Sequence, residues 1–387
     1  MKNRMQRQGW LLELSGRVAG TALAVTVLLV LASVAARSAH AQTFTKIDVK
    51  GAGKGRGQGT FAGGITTKGT ILGWYFDTNN VHHGFVRAAD GTITEFDAPG
   101  AGTGPVQGTI PFGINTAGAI TGKYIDGSNV AHGFLRSEKG DFTSFDAPGA
   151  GTGAGQGTIG GDIDPAGTIA GNYLDSTGVS HGFLRAKDGT FTTFEAPDAG
   201  TGAGQGTFAC LFSGLISGYI LGTYYDASTV GYGYMWATDD GGFLQFSVGG
   251  AGFGPSQGTF PTSINVAGLS AGYLIDSSSV FHGFVNDEKG GEFEILGAGP
   301  GAGQGTVVQN INSKGVATGF FIDDSSSYHG FVRANDGSAT TFDVPAAGTG
   351  AAQGTVPVSN NTAGAITGYY LDANYVVHGF LVTGEPN

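Results

Sequence analysis

Three polar residues recur along the chain at nearly fixed spacing, and their side chains can hydrogen-bond a ligand or bind a cation. A Gln opens each Gln-Gly-Thr motif, an Asp follows 19 residues later (21 in one copy), and a His follows that Asp by six residues. Gln and Asp occur in seven copies and His in six. Together these side chains donate and accept hydrogen bonds, which suits recognition of sugar hydroxyls. The candidate binding residues are Gln58, Gln107, Gln156, Gln205, Gln257, Gln304, Gln353, Asp77, Asp126, Asp175, Asp226, Asp276, Asp323, Asp372, His83, His132, His181, His282, His329 and His378.

A metal centre or a catalytic site is a weaker interpretation of the same residues. Zinc normally requires three or four convergent ligands, and each copy offers at most one His and one Asp. The turns lack the dense Asp-x-Asp-x-Asp pattern of calcium-binding loops, and no His-Glu-x-x-His motif occurs. We therefore predict no metal site, no cofactor and no catalytic residue.

The motif His-Gly-Phe marks a structural repeat. It begins at each of the six recurring His residues, and Tyr232-Gly233-Tyr234 is a divergent seventh copy. Neighbouring copies begin 47 to 51 residues apart. Seven copies at near-constant spacing indicate one supersecondary unit built seven times.

Each unit contains four strand-like runs. In one copy they are 109–115, 119–126, 130–137 and 142–147, rich in β-branched and aromatic residues and bounded by Gly, Asn or Asp. This pattern predicts an all-β fold, a seven-bladed β-propeller of four-stranded antiparallel blades. A Gly that recurs four residues before each Asp, such as Gly122, is expected to allow close approach of the blades near the axis.

The chain begins and ends within a repeat. Residues 43–60 match the end of a unit, such as 142–158, and the last unit stops after its third strand. We therefore predict that the N-terminal strand completes the last blade and closes the ring, because an open solenoid more often has atypical capping repeats at both ends. Residues 42–387 would then form a single propeller domain.

In such a blade the turn after the second strand and the loop to the next blade share a face. The recurring Gln, Asp and His would therefore line one rim of the ring. One interpretation is a ring of ligand pockets, for example for glycans, with aromatics such as Tyr124 alongside. The other, which we favour, is a hydrogen-bond network within the scaffold, because buried polar groups must be satisfied and Asp readily closes Asx turns.

Residues 1–41 are typical of an export signal. Basic residues precede an apolar run over 18–36, and Ala39-His40-Ala41 is a small-x-small cleavage site. An uncleaved anchor is the alternative, because the apolar run is long. We expect a secreted, extracellular or periplasmic protein that has no membrane span once the signal is removed.

The remaining chain is acidic. Without residues 1–41, which hold five basic residues and one acid, it keeps 14 basic and 29 acidic residues, a net charge of about −15. That charge is unfavourable for binding nucleic acid. The single cysteine, Cys210, cannot form an internal disulfide, and we expect a monomer.

The fourth copy is irregular. It has two extra residues between Gln205 and Gly222, the cysteine, and Tyr232 in place of His. These differences indicate either a diverged blade whose aromatics fill core space or a specialised binding patch. The first is favoured, because Met and aromatic residues on a strand usually pack.

Several strings in the second copy resemble a known family. Ile114-Asn115-Thr116-Ala117-Gly118, 122–126, 132–135 and 145–149 are similar to the bacterial extracellular repeats named for a His-Ala-Phe motif, the HAF repeats. Here Gly replaces the Ala. The resemblance extends over 42–387. It implies a secreted β-propeller-like protein of no established activity, and it carries over no catalytic residues.

The pattern favours a non-enzymatic binding or interaction module for a carbohydrate or another cell-envelope ligand. One alternative is a polysaccharide hydrolase or lyase with its site in the central channel, and another is a structural surface protein that self-associates. Equivalent pockets on several blades would favour binding, whereas a singular acidic or His cluster near the axis would favour an enzyme.

Overall fold

The computed structural model describes residues 42–210, 213–216, 218–286 and 291–384, so the predicted export signal lies outside the described residues. Within them the regular secondary structure consists of 29 β-strands, without a helix. Accordingly, the described part of the chain contains no helix with the length and hydropathy of a membrane span.

Repeats 1 to 7 are numbered here from their Gln-Gly-Thr motifs. They begin at Gln58, Gln107, Gln156, Gln205, Gln257, Gln304 and Gln353. The strands of the N-terminal segment and repeats 1 to 3 are β1 (Thr43–Ile47), β2 (Gly59–Ile65), β3 (Ile71–Phe76), β4 (His82–Arg87), β5 (Ile93–Phe96), β6 (Gly108–Ile114), β7 (Ile120–Ile125), β8 (Ala131–Arg136), β9 (Phe142–Phe145), β10 (Gly157–Ile163), β11 (Ile169–Leu174), β12 (Ser180–Arg185) and β13 (Phe191–Phe194). Those of repeats 4 and 5 are β14 (Gly206–Ala209), β15 (Leu215–Ile216), β16 (Tyr219–Tyr225), β17 (Gly231–Ala237), β18 (Phe243–Phe246), β19 (Gly258–Ile264), β20 (Ser270–Ile275), β21 (Phe281–Asn286) and β22 (Gly291–Phe293). Those of repeats 6 and 7 are β23 (Gly305–Ile311), β24 (Ala317–Ile322), β25 (Tyr328–Arg333), β26 (Ala339–Phe342), β27 (Gly354–Asn360), β28 (Ile366–Leu371) and β29 (Val377–Thr383).

Antiparallel pairs join the strands of a repeat in chain order, β2 to β3, β3 to β4 and β4 to β5 in repeat 1. A single parallel pair then joins the third strand to the next repeat, as between His82 and Gly108. The last repeat meets the first through Val377 and Gly59, and β1 pairs antiparallel with β29. The predicted all-β, closed propeller-like ring is therefore confirmed.

The hydrophobic core lies between successive repeats. Ile47 of β1 packs with Ile71 and Phe85 of repeat 1, and Phe96 of repeat 1 packs with Phe134 of repeat 2. The Phe of every His-Gly-Phe motif is fully buried, as is Tyr234 of the divergent copy. Burying a Phe side chain stabilises a protein by roughly 1.5–3 kcal/mol, so this motif residue anchors each interface.

The recurring Gly before each Asp leaves room for a buried side chain of its own repeat. Gly122 pairs with Phe134 on the neighbouring strand. A Cβ at Gly122 would lie 2.6 Å from the Cα of Pro111 and 2.8 Å from the Phe134 ring. The space above Gly122 is therefore filled by its own repeat, because the Gly leaves room for the buried Phe, while a Cβ at Gly160 of the next repeat would lie 2.9 Å from the Gly122 carbonyl oxygen.

Asn side chains connect repeats at the turn after the first strand. Asn265 donates to the Asn312 carbonyl, Asn312 to the Asn361 carbonyl, and Asn361 to the Thr66 carbonyl, at 2.9 to 3.1 Å. The Oδ1 of Asn361 also accepts the backbone N–H groups of Ala363 and Ala365. One buried side chain thus closes its own turn and holds the next repeat.

We expect Asn361→Ala to lower the free energy of unfolding by about 1–3 kcal/mol, because it leaves buried backbone groups without partners. Chemical denaturation of the purified protein measures the change. Asn374→Ala is the matched control, since Asn374 is exposed in the turn between β28 and β29; that change should stay within about 0.5 kcal/mol. Equal effects of the two substitutions would contradict the role assigned to Asn361.

Candidate functional site

The recurring Asp closes the turn between the second and third strands of its repeat. In repeat 2, Asp126 Oδ1 accepts the N–H groups of Ser128 and Val130 at 2.8 and 2.9 Å. The bond from Val130 N–H is the main reason that the pKa of Asp126 lies below its ordinary value. The same two bonds occur in all seven repeats.

Each recurring His lies between two carboxylates. His132 Nδ1 is 3.0 Å from Asp146 Oδ1, and its Nε2 is 3.6 Å from Asp126 Oδ2. The ring stacks on Tyr124 at 5.0 Å between centroids. In the last repeat the second acid is Asp48, which precedes His378 by 330 residues. The N-terminal segment therefore completes this polar cluster as well as the sheet.

The second acid of this cluster was missed by the sequence-based choice of site residues. Its signal was present, because an Asp or Glu follows the last residue of the fourth strand in six copies: Asp48, Asp97, Asp146, Glu195, Glu294 and Asp343. In repeat 5 the His282 Nδ1 lies 2.6 Å from Glu294 and 3.1 Å from Glu292, an ion-pair contact shared by two acids. Repeat 4 has neither the His nor the second acid, because Tyr232 and Ser247 occupy the equivalent positions. The His and the second acid are thus either both present or both absent in a repeat.

The recurring Gln connects its own loop to the Asp turn. Gln107 Oε1 accepts the Gly104 N–H at 2.8 Å, and its Nε2 donates to the Gly127 carbonyl at 3.3 Å. Equivalent bonds occur in every repeat. The Thr of the same motif is fully buried and accepts a backbone N–H from the preceding repeat, as Thr109 does from Ala98.

The structure therefore brings the predicted Gln, Asp and His together at one rim of the ring. The His side chains contact the recurring Asp and the second acid, whereas the Gln and Asp side chains bond the loop backbone. These are the bonds expected of a scaffold network. The carboxylates of the second acids remain about half exposed, for example 49% for Asp97 and 54% for Asp146, and ligand binding at this rim stays a prediction.

A second candidate site is an aromatic cavity at the inner edge of the ring. The Phe61 and Trp74 rings stack at 3.9 Å, and Tyr369 of the preceding repeat lies 5.1 Å from Phe61. With Phe112 and Gln309 these side chains line a cavity of about 240 Å³. Residues from repeats 1, 2, 6 and 7 thus meet at one place, which differs from the equivalent places around the ring.

The aromatic cavity also had a signal in the sequence. The residue three positions before the recurring Asp differs between repeats, and it is aromatic in the four consecutive repeats 5, 6, 7 and 1: Tyr273, Phe320, Tyr369 and Trp74. Repeat 2 has Lys123 there, half-buried, with its pKa lowered by burial. Variation at this position, rather than repetition, marks the cavity.

Two other kinds of site are not found at the rim. Within the described residues no group of three or more His, Cys, Asp or Glu side chains is placed to hold a metal ion. The string Gly254-Pro255-Ser256-Gln257-Gly258 has the letters of a nucleophile elbow. It lies in the loop before β19 and precedes a strand rather than a helix, so the context that the elbow requires is missing.

Comparison with known proteins gives a fold but no family. No protein-family model matches the chain, and no curated protein matches its sequence. Among solved structures, the BP39L lectin from Burkholderia pseudomallei aligns with a TM-score of 0.54 at 9% identity, over 86% of this chain and 99% of that chain. The fucose-recognising lectin of Aleuria aurantia, a six-bladed β-propeller, aligns with a TM-score of 0.38 at 12% identity over 73% and 92%. TolB from Acinetobacter baumannii aligns with 0.41 at 12% identity over 86% and 66%.

We expect the stability of the protein to depend on pH through the His clusters. The bond to Asp97 raises the pKa of His83 above its ordinary 6.5. For His181 and His329, burial opposes the rise, but bonds to Glu195 and Asp343 outweigh it, so their pKa is also raised. A raised His pKa stabilises the folded state below about pH 6.5 and loses this effect as the pH rises through the folded-state pKa.

Five of the recurring Asp residues act in the opposite direction: Asp77, Asp126, Asp175, Asp276 and Asp372. Their lowered pKa stabilises the fold above the ordinary value of 3.8, and this effect is lost in acid. The melting temperature should therefore be highest between about pH 4 and 6.5 and lower near pH 8. The combined variant H83N, H181N and H329N should show a smaller decrease between pH 6 and 8. An unchanged decrease would contradict the assignment to these His residues.

Proposed function

We propose that this protein is an exported, non-enzymatic carbohydrate-binding β-propeller with seven four-stranded blades. The aromatic cavity of Phe61, Trp74, Phe112 and Tyr369 is the observation that carries this proposal. Ligand sites are concave and mostly apolar, with a few polar groups that fix orientation. Exposed aromatic faces suit the apolar C–H faces of sugar rings, and the amide of Gln309 can bond a hydroxyl.

The fold supports the same function. The BP39L lectin aligns with this chain over 99% of its own length at a TM-score of 0.54. A ring of this kind is therefore the fold of a lectin. Because identity is 9%, the site itself must be argued from this chain's own residues, and the aromatic cavity provides that argument.

Two further parts of the proposal come from the sequence. The antiparallel order of strands recurs with each Gln-Gly-Thr motif, and we assign each such set to one blade, the last completed by β1. The basic and apolar pattern of residues 1–41, together with the resemblance to HAF repeats, supports export to the cell surface or periplasm. A carbohydrate of the cell envelope is the ligand that fits this location, and we propose that the chain acts as a monomer.

The experiment is a glycan-array screen of residues 42–387, followed by titration of the best ligand. We expect Trp74→Ala to weaken binding about 30-fold or more, because removing a central aromatic anchor typically costs roughly 2 kcal/mol or more. Phe253→Ala is the control, since Phe253 is 72% exposed and is not among the cavity-lining residues. Circular dichroism and melting temperature establish that each variant is folded.

The other possibilities are outcomes of the same experiment. If Asp126→Ala or His132→Ala abolishes binding in a folded protein while Trp74→Ala does not, the rim is the ligand site. Release of reducing ends or unsaturated products from a bound polysaccharide would establish a hydrolase or lyase. Absence of glycan binding, with multimers at low concentration in sedimentation, would favour the self-associating surface protein.

A further inference from the structure

A second cavity adjoins the aromatic cavity further along the first strands. It has a volume of about 250 Å³ and shares Gly64 and Phe112 with the aromatic cavity. Its lining differs in character, because Asp162, Ser213 and Ser359 contribute a carboxyl and two hydroxyl groups. The inner edge of the ring thus has an aromatic part and a polar part in contact.

Asp162 is a departure from the repeat. It lies six residues after Gln156, and the other described positions with that spacing hold no acid: Gly64, Gly113, Ser263, Asn310 and Ser359. A side chain required by every repeat would recur, as the rim residues do. The carboxyl group at this position is therefore not part of the repeated scaffold.

The irregular fourth repeat supplies the other side of the polar cavity. Leu215 N–H donates to Asp162 Oδ2 at 3.1 Å, and Ile264 N–H donates to the Ser213 carbonyl at 3.0 Å. Asn310 Nδ2 donates to the Ser213 hydroxyl at 2.9 Å. Residues 213–216 therefore contact repeats 3, 5 and 6, across the inner edge of the ring. The insertion noted in the sequence builds one wall of this cavity.

The polar groups keep capacity for a ligand. The Asp162 carboxyl accepts bonds from the backbone N–H groups of Ile163, Leu215 and Gly214, whereas its two oxygens can together accept four. The Ser213 hydroxyl accepts a bond from Asn310, and among the described residues nothing accepts its hydrogen. Burial raises the pKa of Asp162 to about 7, and the nearby charge of Asp164 adds to the rise. The Asp162 carboxyl group can therefore accept a hydrogen bond from a ligand hydroxyl group when it is ionised, and donate one to a hydroxyl oxygen when it is protonated.

We propose that Asp162, Ser213 and Ser359 bind the hydroxyl groups of a neutral saccharide whose ring contacts the aromatic cavity. This inference rests on the proposed function and specifies its ligand. An uncharged, hydroxyl-rich sugar matches the remaining donors and acceptors. An anionic sugar, such as a uronate, is disfavoured because its carboxylate would lie beside Asp162 in a poorly hydrated cavity.

The test uses residues 42–387 and an array of neutral oligosaccharides with their uronate-containing counterparts, followed by titration of the best neutral ligand. Asp162→Asn should weaken binding of that ligand about tenfold or more, since a bond to a charged group is lost. It should also reduce the preference for neutral over uronate-containing sugars. Asp188→Asn, an equivalent change on an exposed turn of the same repeat, should bind like the unaltered protein.

The outcomes separate this inference from the proposed function. If Trp74→Ala abolishes binding but Asp162→Asn and Ser359→Ala both bind like the unaltered protein, the carbohydrate-binding function stands and the polar cavity has no part in it. If the unaltered protein binds no glycan, both proposals fail. Should Asp162→Asn fold poorly, Ser359→Ala decides, with an expected loss of about threefold to tenfold; unchanged affinity overturns the inference.

Discussion

Closure of the ring is the constraint on which the rest of this structure depends. Each repeat buries its apolar residues against its neighbours, so a chain with two free ends would expose two such faces to water. The N-terminal strand prevents this. It pairs with β29, contributes Ile47 to the core against repeat 1, and brings Asp48 to His378. The pairing of β1 with β29 and the His cluster of the last repeat thus join residues that are more than 300 positions apart in the chain.

The polar residues that recur explain how a chain rich in Gly and poor in charge forms ordered loops. Of 387 residues 73 are Gly, and only 13% are charged. Gly-rich loops have few side chains to bury, and their backbone groups must find partners. The recurring Gln, Asp and Thr provide those partners in every repeat. Each of these side chains bonds backbone groups of a loop, and these hydrogen bonds order the loop in place of the packing contacts that large side chains make in other proteins.

The two cavities follow the opposite logic. Repetition gives the ring its stability, but a ligand needs a place where the repeats differ. Phe61, Trp74 and Tyr369 form one such place, and Asp162 with Ser213 forms another. A closed ring is suited to this purpose, because the first strands of all repeats approach one another at the inner edge. Residues that differ between repeats, although far apart in sequence, then line the same cavity.

The sequence alone determined the repeat, the strand order and the closed all-β ring, since each follows from local patterns: the spacing of His-Gly-Phe, the β-branched runs and the matching ends of the chain. It also identified the recurring polar residues and their common rim. The tertiary structure decided what those residues contact. Each recurring His contacts an acid that follows another strand, as His132 contacts Asp146, and Gly122 leaves room for Phe134 of its own repeat. The cavities, too, were located only in the folded chain, although the aromatic residues before the recurring Asp of four repeats are a sequence signal of the first one. Hydrophobic periodicity reports which residues are buried together, whereas a cavity depends on the distances between residues of different repeats, which only the closed ring brings together.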